Sequence, residues 1–382
     1  MNKKIYIITT TILVLLVLAV TVEVIGKWYI VHMRKKCDRP KFRFNSYRVY
    51  EHIPGYTETG EDGVVRIAIN GQGFRRSSET VKEKTKNTFR VFLMGGSAGH
   101  GVSSPPPFKI YHVRQNETID SFLEVKLQEK YPNKKIEVIN ACVTGYQVFQ
   151  HTHYLLSEIL NYSPDAVIFF DGANDHYKPW LNYDYYEDFP YQFWKKHLQE
   201  PSLSGLKNYF VLMLSGHSSF FRGWYAYILE QDAANRKTFI VSDDVEKMVK
   251  AYRTSSPRGY LRSVNANIQI LKANKIKSIL CLQPMFALRS RDSISPEEEN
   301  VLKLLGFNPV VKGLYPYVAS DLSGLARENK VDFIDANLFF AKPENIKKHL
   351  FTDYCHLTPE GNRVVAEAMF PMVDKMCAEL KY

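Results

Sequence analysis

The chain alternates short, unbroken apolar runs with stretches whose apolar residues recur every three or four positions. The runs lie at about residues 88–95, 136–140, 166–171, 278–283 and 331–335, and each ends in small or polar residues. Continuous apolar runs of this length read as strands buried on both faces. Residues 118–130 put Ile119, Phe122, Leu123 and Leu127 on one helical face, and 148–160, 264–273, 317–329 and 359–380 read as further helices. Strands separated by helices predict an α/β domain with a mostly parallel five-stranded sheet and right-handed crossovers.

Two stretches fall outside this rhythm. Ile5 to Val22 is uncharged and apolar over 18 residues, preceded by Lys3 and Lys4. At about 1.5 Å per residue it approaches the hydrocarbon thickness of a bilayer, and Trp28 and Tyr29 suit its interface. The competing reading is a cleaved signal peptide. No small-x-small cleavage site follows the run, so a retained transmembrane helix is expected. The second stretch, about 177–262, is an insertion between the third and fourth strands, dense in aromatics such as Trp180, Tyr185, Trp194, Phe220, Trp224 and Tyr227. It is expected either to cap a site, where its rings would suit a sugar or an acyl chain, or to pack as a helical subdomain of its own. The resulting division is a membrane anchor and flank at 1–36, a turn-rich lead-in segment at 37–87, and a main domain at 88–382 that carries the insertion.

Composition narrows the partners. With 45% hydrophobic and 24% charged residues the chain can bury a core, and its net charge of +10 is modest for 382 residues. Beyond Arg34-Lys35-Lys36 there is no dense basic block, no zinc-finger spacing and no aromatic–basic RNA signature, which argues against a nucleic-acid partner. A membrane surface or an acidic polymer suits the basic balance better. The five cysteines (Cys37, Cys142, Cys281, Cys355 and Cys377) are scattered and odd in number, giving neither a disulfide framework nor a metal knuckle. No cofactor and no metal is expected.

The candidate chemistry lies in four loops, each reached from a strand end. Ser97 follows the first strand between glycines, in Gly95-Gly96-Ser97-Ala98-Gly99, and Gly145 follows the second. Asn174 follows the third, in Asp171-Gly172-Ala173-Asn174-Asp175, while Asp353 and His356 lie beyond the fifth, just before the last helix. In a doubly wound sheet such loops converge on one rim. Acyl transfer needs a nucleophile (Ser97), a base that is neutral near pH 7 (His356) and a carboxylate to orient that base (Asp353). It also needs donors waiting for the oxyanion, here the Ser97 and Gly145 backbone N–H groups and the Asn174 amide. Each residue alone has a duller reading, as a turn, a helix cap or a solvated side chain; their joint order is what points to one site.

Other residues are weaker candidates. Gly95 to Gly99 also fits the Gly-x-Ser-x-Gly elbow of α/β-hydrolases, but there several strands precede the serine, and here it follows the first core strand. His151 and His153 sit two apart on a predicted helix, facing different sides, and make a poor metal pair. His100 and His176 flank the proposed site and read as substrate contacts or as solvated loop residues. Asp171, Asp175 and Asp335 end strands, where bonding to loop backbone is the simplest role.

Taken together, the four blocks resemble the SGNH/GDSL hydrolases, named for Ser, Gly, Asn and His. Gly95-Gly96-Ser97 stands where that family has Gly-Asp-Ser or Gly-Gly-Ser, and Val138 through Tyr146 matches the glycine block. Gly172-Ala173-Asn174-Asp175 matches Gly-x-Asn-Asp, and Asp353-Tyr354-Cys355-His356-Leu357 matches Asp-x-x-His-Leu. Upstream, Asn70 to Arg75 resembles an Asn-x-x-Gly-Phe-Arg segment of membrane-anchored members. The chain departs mildly, with Cys142 where glycine is common and Gly96 for the frequent Asp. The resemblance implies a three-layer, flavodoxin-like fold, a Ser–His–Asp mechanism without metal or cofactor, and an ester-bearing small molecule, lipid or glycan as substrate. Water as acceptor makes an esterase and a sugar hydroxyl an O-acyltransferase; a non-catalytic polysaccharide-binding protein is the alternative of another class. Lys27, Arg34, Lys35 and Lys36 outnumber Lys3 and Lys4 and would keep the main domain inside. Anchored relatives place it outside the cytoplasm, and that is the expectation adopted.

Overall fold

The computed structural model describes residues 3–32, 42–107, 110–177, 244–255 and 259–380, with scattered residues between 207 and 224. The chain forms two compact units, one from residues 1–53 with 191–238 and one from 54–190 with 239–382. In the first, helix α1 (Lys3–His32) contains a segment, Lys3–Gly26, long and apolar enough to cross a membrane, with its residues up to Val22 exposed. The same unit holds a hairpin of β1 (Phe42–Asn45) and β2 (Val49–His52).

The second unit starts with the hairpin β3 (Thr57–Thr59) and β4 (Val65–Ala68), then enters the central sheet through β5 (Thr88–Gly95), which is buried along its whole length. Helix α2 (Ser97–His100) and a small hairpin, β6 (Val102–Ser103) with β7 (Tyr111–His112), follow at once. Helix α3 (Ile119–Lys130) leads to β8 (Lys135–Asn140), and α4 (Val148–Ser157) to β9 (Ala166–Asp171). After α5 (Ala173–Tyr177) come helices Val245–Ser255 and Tyr260–Ala273, then β10 (Lys277–Leu282). The chain closes through β11 (Asp332–Asp335) and the helix Pro359–Glu379.

All pairs in the central sheet are parallel, in the order β11-β10-β9-β5-β8. Read by position, this is the flavodoxin-like order 2-1-3-4-5. Helix α3 and the closing helix cover one face; at the other, Tyr260–Ala273 packs on both α4 and Pro309–Asn329. The apolar cluster on the first face joins Phe89, Leu93, Ile168 and Ile279 to Leu123, Val365 and Met369.

Two differences from the expected elements have local causes. The helix expected at 317–329 begins eight residues earlier, at Pro309. Asn308 caps it, its side chain accepting from Val310 N at 2.9 Å and Val311 N at 3.2 Å, and Pro309 fits the first turn, whose N–H needs no partner. Gly313 and Pro316 interrupt the sequence pattern, but the helix continues through both. The helix Glu298–Leu305, not expected from the pattern, precedes it. Of the insertion's aromatics, Trp180 through Trp194 and Tyr225 and Tyr227 lie outside the described residues.

The Asn-x-x-Gly-Phe-Arg segment is clipped to the sheet. Asn70 Oδ1 accepts from Gln72 N (3.1 Å) and Phe74 N (3.0 Å), shaping the turn, and Arg75 N donates to Asn140 O at 2.9 Å. Phe74 packs edge-on against Phe92 and Tyr162. The fully buried Arg75 guanidinium donates to Arg66 O (2.7 Å) and Val113 O (2.9 Å), behind Gly101 at the end of α2.

Candidate active site

Strand β5 ends in Gly95-Gly96, and the chain turns straight into α2 with Ser97 as its first residue. Both glycines stand in crowded places, Gly95 against backbone and Gly96 against a side-chain tip. A Cβ on Gly95 would lie 2.6 Å from Phe170 O, and one on Gly96 would lie 2.2 Å from Asn174 Nδ2. The Gly96 contact shows that the Asn174 amide lies directly beside the turn that carries Ser97.

The candidate base comes from the loop before the closing helix. His356 Nε2 is 2.8 Å from Ser97 Oγ, and His356 Nδ1 is 2.6 Å from Asp353 Oδ2. Asp353 Oδ1 accepts from Cys355 N (2.8 Å) and His356 N (2.7 Å), so one carboxylate shapes the turn and orients the ring. Burial pushes the Asp353 carboxyl up. The charge and donation of the His356 ring, with the two amides, outweigh this and hold it below the ordinary carboxylate range. An ionised Asp353 fixes the proton on Nδ1 and leaves the Nε2 lone pair facing the hydroxyl.

Gly145 lies in the β8–α4 loop with φ +82°, a left-handed conformation that favours glycine. The loop runs alongside β5, with Ala141 N on Leu93 O (2.8 Å) and Val143 N on Gly95 O (3.0 Å). It is stitched to the β9–α5 loop across the switch point of the sheet. Asn174 Nδ2 donates to Tyr146 O at 2.9 Å, Gln147 Nε2 to Asn174 O at 3.2 Å, and Val148 N to Asp175 Oδ1 at 2.9 Å. Ser97, Gly145, Asn174, Asp353 and His356 are thus carried by neighbouring loops of one unit.

Several supporting residues carry no sequence signal of their own. Glu298, fully buried, accepts Leu350 N and Phe351 N at 2.9 Å each, and Arg289 Nη1 stands 3.8 Å from it. Gln283 Nε2 donates to Cys355 O (3.2 Å), and Ser104 N to Thr352 Oγ1 (3.0 Å), tying the His356 loop to β10 and to the loop after α2. His151 is buried on α4, its Nδ1 3.1 Å from Asp171 Oδ2. Burial pushes this ring down, but the facing carboxylate outweighs it and the His151 pKa is raised. Asp171 therefore ties the end of β9 to helix α4 through its side chain. Asp175 and Asp335 do bond backbone, Asp335 Oδ1 accepting from Asn337 N at 3.0 Å.

His100 and His176 are neither solvated nor at the surface. Both are buried, His100 edge-on to His112 and His176 packed at 4.5 Å on Tyr260, and burial drives the His176 pKa down to about 3. Asp353, Cys355 and His356 also offer ligand atoms within 4.8 Å of one another. Burial raises the Cys355 thiol well above its ordinary value, and His356 Nδ1 is engaged by Asp353, so the group suits a proton relay better than an ion.

Among solved structures, an acetyl xylan esterase is 19% identical over 75% of this chain and 100% of its own, with a TM-score of 0.38. A variant of an acetyl xylan esterase from Geobacillus stearothermophilus and a lipase/acylhydrolase from Enterococcus faecalis are each 13% identical, over 77% of this chain and 97% of theirs, at a TM-score of 0.41. No curated protein matches the chain. Residues 93–364, which run from just before Ser97 to just past His356, match the sequence profile of a known family. With that match covering well over half its length, the chain belongs to the GDSL-like lipase/acylhydrolase family.

Proposed function

We propose that this acylhydrolase is a membrane-anchored serine esterase that works through an acyl-Ser97 intermediate. Ser97 Oγ attacks the ester carbonyl carbon while His356 Nε2 takes its proton. The Ser97 and Gly145 N–H groups and the Asn174 amide receive the oxyanion. Collapse breaks the ester C–O bond, and the departing alcohol takes the proton from the imidazolium. Water then enters by the same route, giving its proton to Nε2, and the acid leaves as Ser97 is reprotonated. Asp353 stays ionised throughout and keeps the ring in one tautomer.

The observation that carries this reading is the unbroken relay Asp353–His356–Ser97, at 2.6 and 2.8 Å. A binding protein on the same fold has no need of that alignment. Transfer to a sugar hydroxyl in place of water uses the same groups and differs only in the acceptor. Helix α1 supplies the anchor in this reading, with residues 88–382 as the catalytic domain and 37–87 as its lead-in, outside the cytoplasm.

The test is turnover of a chromogenic acetate by the full-length protein in detergent, with fluorophosphonate labelling of Ser97. Wild type should hydrolyse and be labelled, and Ser97→Ala should do neither. Equal turnover by both would end the catalytic reading. Product partition with an added sugar acceptor separates hydrolysis from transfer, and a C-terminal reporter fusion reads the orientation.

A further inference from the structure

Glu23 is the one acidic residue between Lys3 and Gly26, and it follows directly on the apolar run that ends at Val22. A carboxylate at the edge of a hydrocarbon-length segment is costly unless its oxygens are hydrogen-bonded. Here they accept from Ser218 Oγ at 2.7 Å and from Ser219 N at 2.8 and 3.0 Å. Three residues further along α1, Gly26 meets the insertion's backbone so closely that a Cβ there would lie 2.6 Å from Phe220 Cα. A polar clasp and a glycine contact therefore fasten residues 218–220 to the helix, within one compact unit.

The described residues just before this clasp are helical and two-faced. Val211 and Ser215, four apart, are buried, while Phe210, Met213 and Leu214 are 54%, 50% and 40% exposed. An outward stripe at this spacing normally carries charge on a water-facing helix; this one carries large apolar side chains. At its edge the Lys207 ammonium lies 4.8 Å from the Trp224 ring centroid, the pairing of cation and indole that suits a water–lipid boundary. The 18 residues from Ile5 to Val22 span about 27 Å, close to one hydrocarbon core. Glu23 and Gly26 then fall at its boundary, and whatever is clasped to them lies at headgroup depth.

We propose that the insertion is a second membrane contact, with Met213, Leu214 and Phe210 seated in the lipid interface and held there through Glu23. The occupant of the apolar stripe is the bilayer itself, because the clasp at 218–220 ties the segment that carries the stripe to the helix read as crossing it. This rests on α1 being a retained anchor, and the test separates the two.

Full-length protein carrying p-benzoylphenylalanine in place of Met213, Ile12 or Leu338 is reconstituted in phosphatidylcholine–phosphatidylglycerol vesicles with tritiated acyl chains and irradiated. Ile12 lies within the anchor, and Leu338 is 67% exposed in the other unit. Lipid adducts are expected from positions 213 and 12 and not from 338. Adducts at 12 alone overturn the second contact and leave the anchor standing; adducts at neither 12 nor 213 overturn both. Crosslinks from 213 to a second copy of the chain, or lipid labelling at 338 equal to that at 213, also overturn it. Glu23→Leu removes the acceptor while making the helix more apolar, so labelling at 12 should persist and labelling at 213 should fall several-fold. Unchanged labelling at 213 in that variant refutes the clasp. Fluorophosphonate reactivity of Ser97 in each preparation confirms that the protein is folded.

Discussion

Gly96→Ala adds a single methyl group and tests the oxyanion site without touching any reacting group. The Gly96 backbone is extended (φ −91°, ψ −152°), so alanine imposes no strain of its own. The new Cβ would, however, sit 2.2 Å from Asn174 Nδ2, with the next neighbours, Asn174 Cγ and Tyr146 O, at 3.4 and 3.6 Å. Only the amide tip has to move, by roughly 1 Å, and that breaks its 2.9 Å bond to Tyr146 O. A displaced oxyanion donor costs ~10²–10³ in kcat, or about 2.7–4 kcal/mol. Gly96→Ala should therefore fold and keep its fluorophosphonate site, yet lose kcat on a chromogenic acetate to about the extent that Asn174→Ala does, with KM little changed. The double variant supplies the decisive comparison. Once Asn174 is alanine there is nothing for the methyl group to displace, so adding Gly96→Ala should cost little more. Near-wild-type turnover by Gly96→Ala, or fully additive losses in the double variant, would refute the assignment of Asn174 as an oxyanion donor.

Three further outcomes are expected. Asp353→Asn should retain the turn, because an amide oxygen still accepts from Cys355 N and His356 N, but it presents N–H to Nδ1 and leaves Nε2 protonated; kcat should fall by about 10⁴ while the melting temperature changes modestly. Asp120, buried with Asn140 Nδ2 at 2.7 Å, has its pKa raised by burial from 3.8 to about 6. Folding thus favours its protonated form, and its contribution to stability is lost as pH rises between those values. Asp120→Asn, compared with wild type by urea unfolding, should gain up to about 3 kcal/mol relative to it across that window and no more above it. Cys142, Cys281 and Cys355 are buried, with thiols raised well above their ordinary range by desolvation. In the native protein these three should resist thiol reagents read out residue by residue by mass spectrometry, and react on unfolding.

The sheet was legible because parallel strands are buried on both faces. Thr88–Gly95 and Ala166–Asp171 stand within a residue of where the apolar runs put them, having no solvent face to blur the pattern. The five candidate site residues were legible for a different reason: each sits at a fixed place after a strand or before the last helix, and small residues announce the turns. What holds them could not be read this way. Glu298 stands in the middle of Glu297-Glu298-Glu299, a run that reads as solvent-facing, and only tertiary packing selects the middle one for burial. His151 and Asp171 are 20 residues apart on different elements, and nothing local pairs them. Glu23 looks like a blemish in an apolar helix until Ser218 and Ser219, nearly 200 residues later, supply its partners.

Ser97 and His356, the proposed nucleophile and base, stand 259 positions apart in the chain, and His356 is joined to the closing helix Pro359–Glu379, which packs on α3. During synthesis the serine, its turn and all five strands of the sheet emerge before His356. On the function proposed above, a chain that has folded Ser97 into place but lacks His356 is inert toward esters around it. Reactivity on that reading begins only once the segment carrying Asp353 and His356 has folded back onto Ser97, so closure of the fold and assembly of the relay are one event.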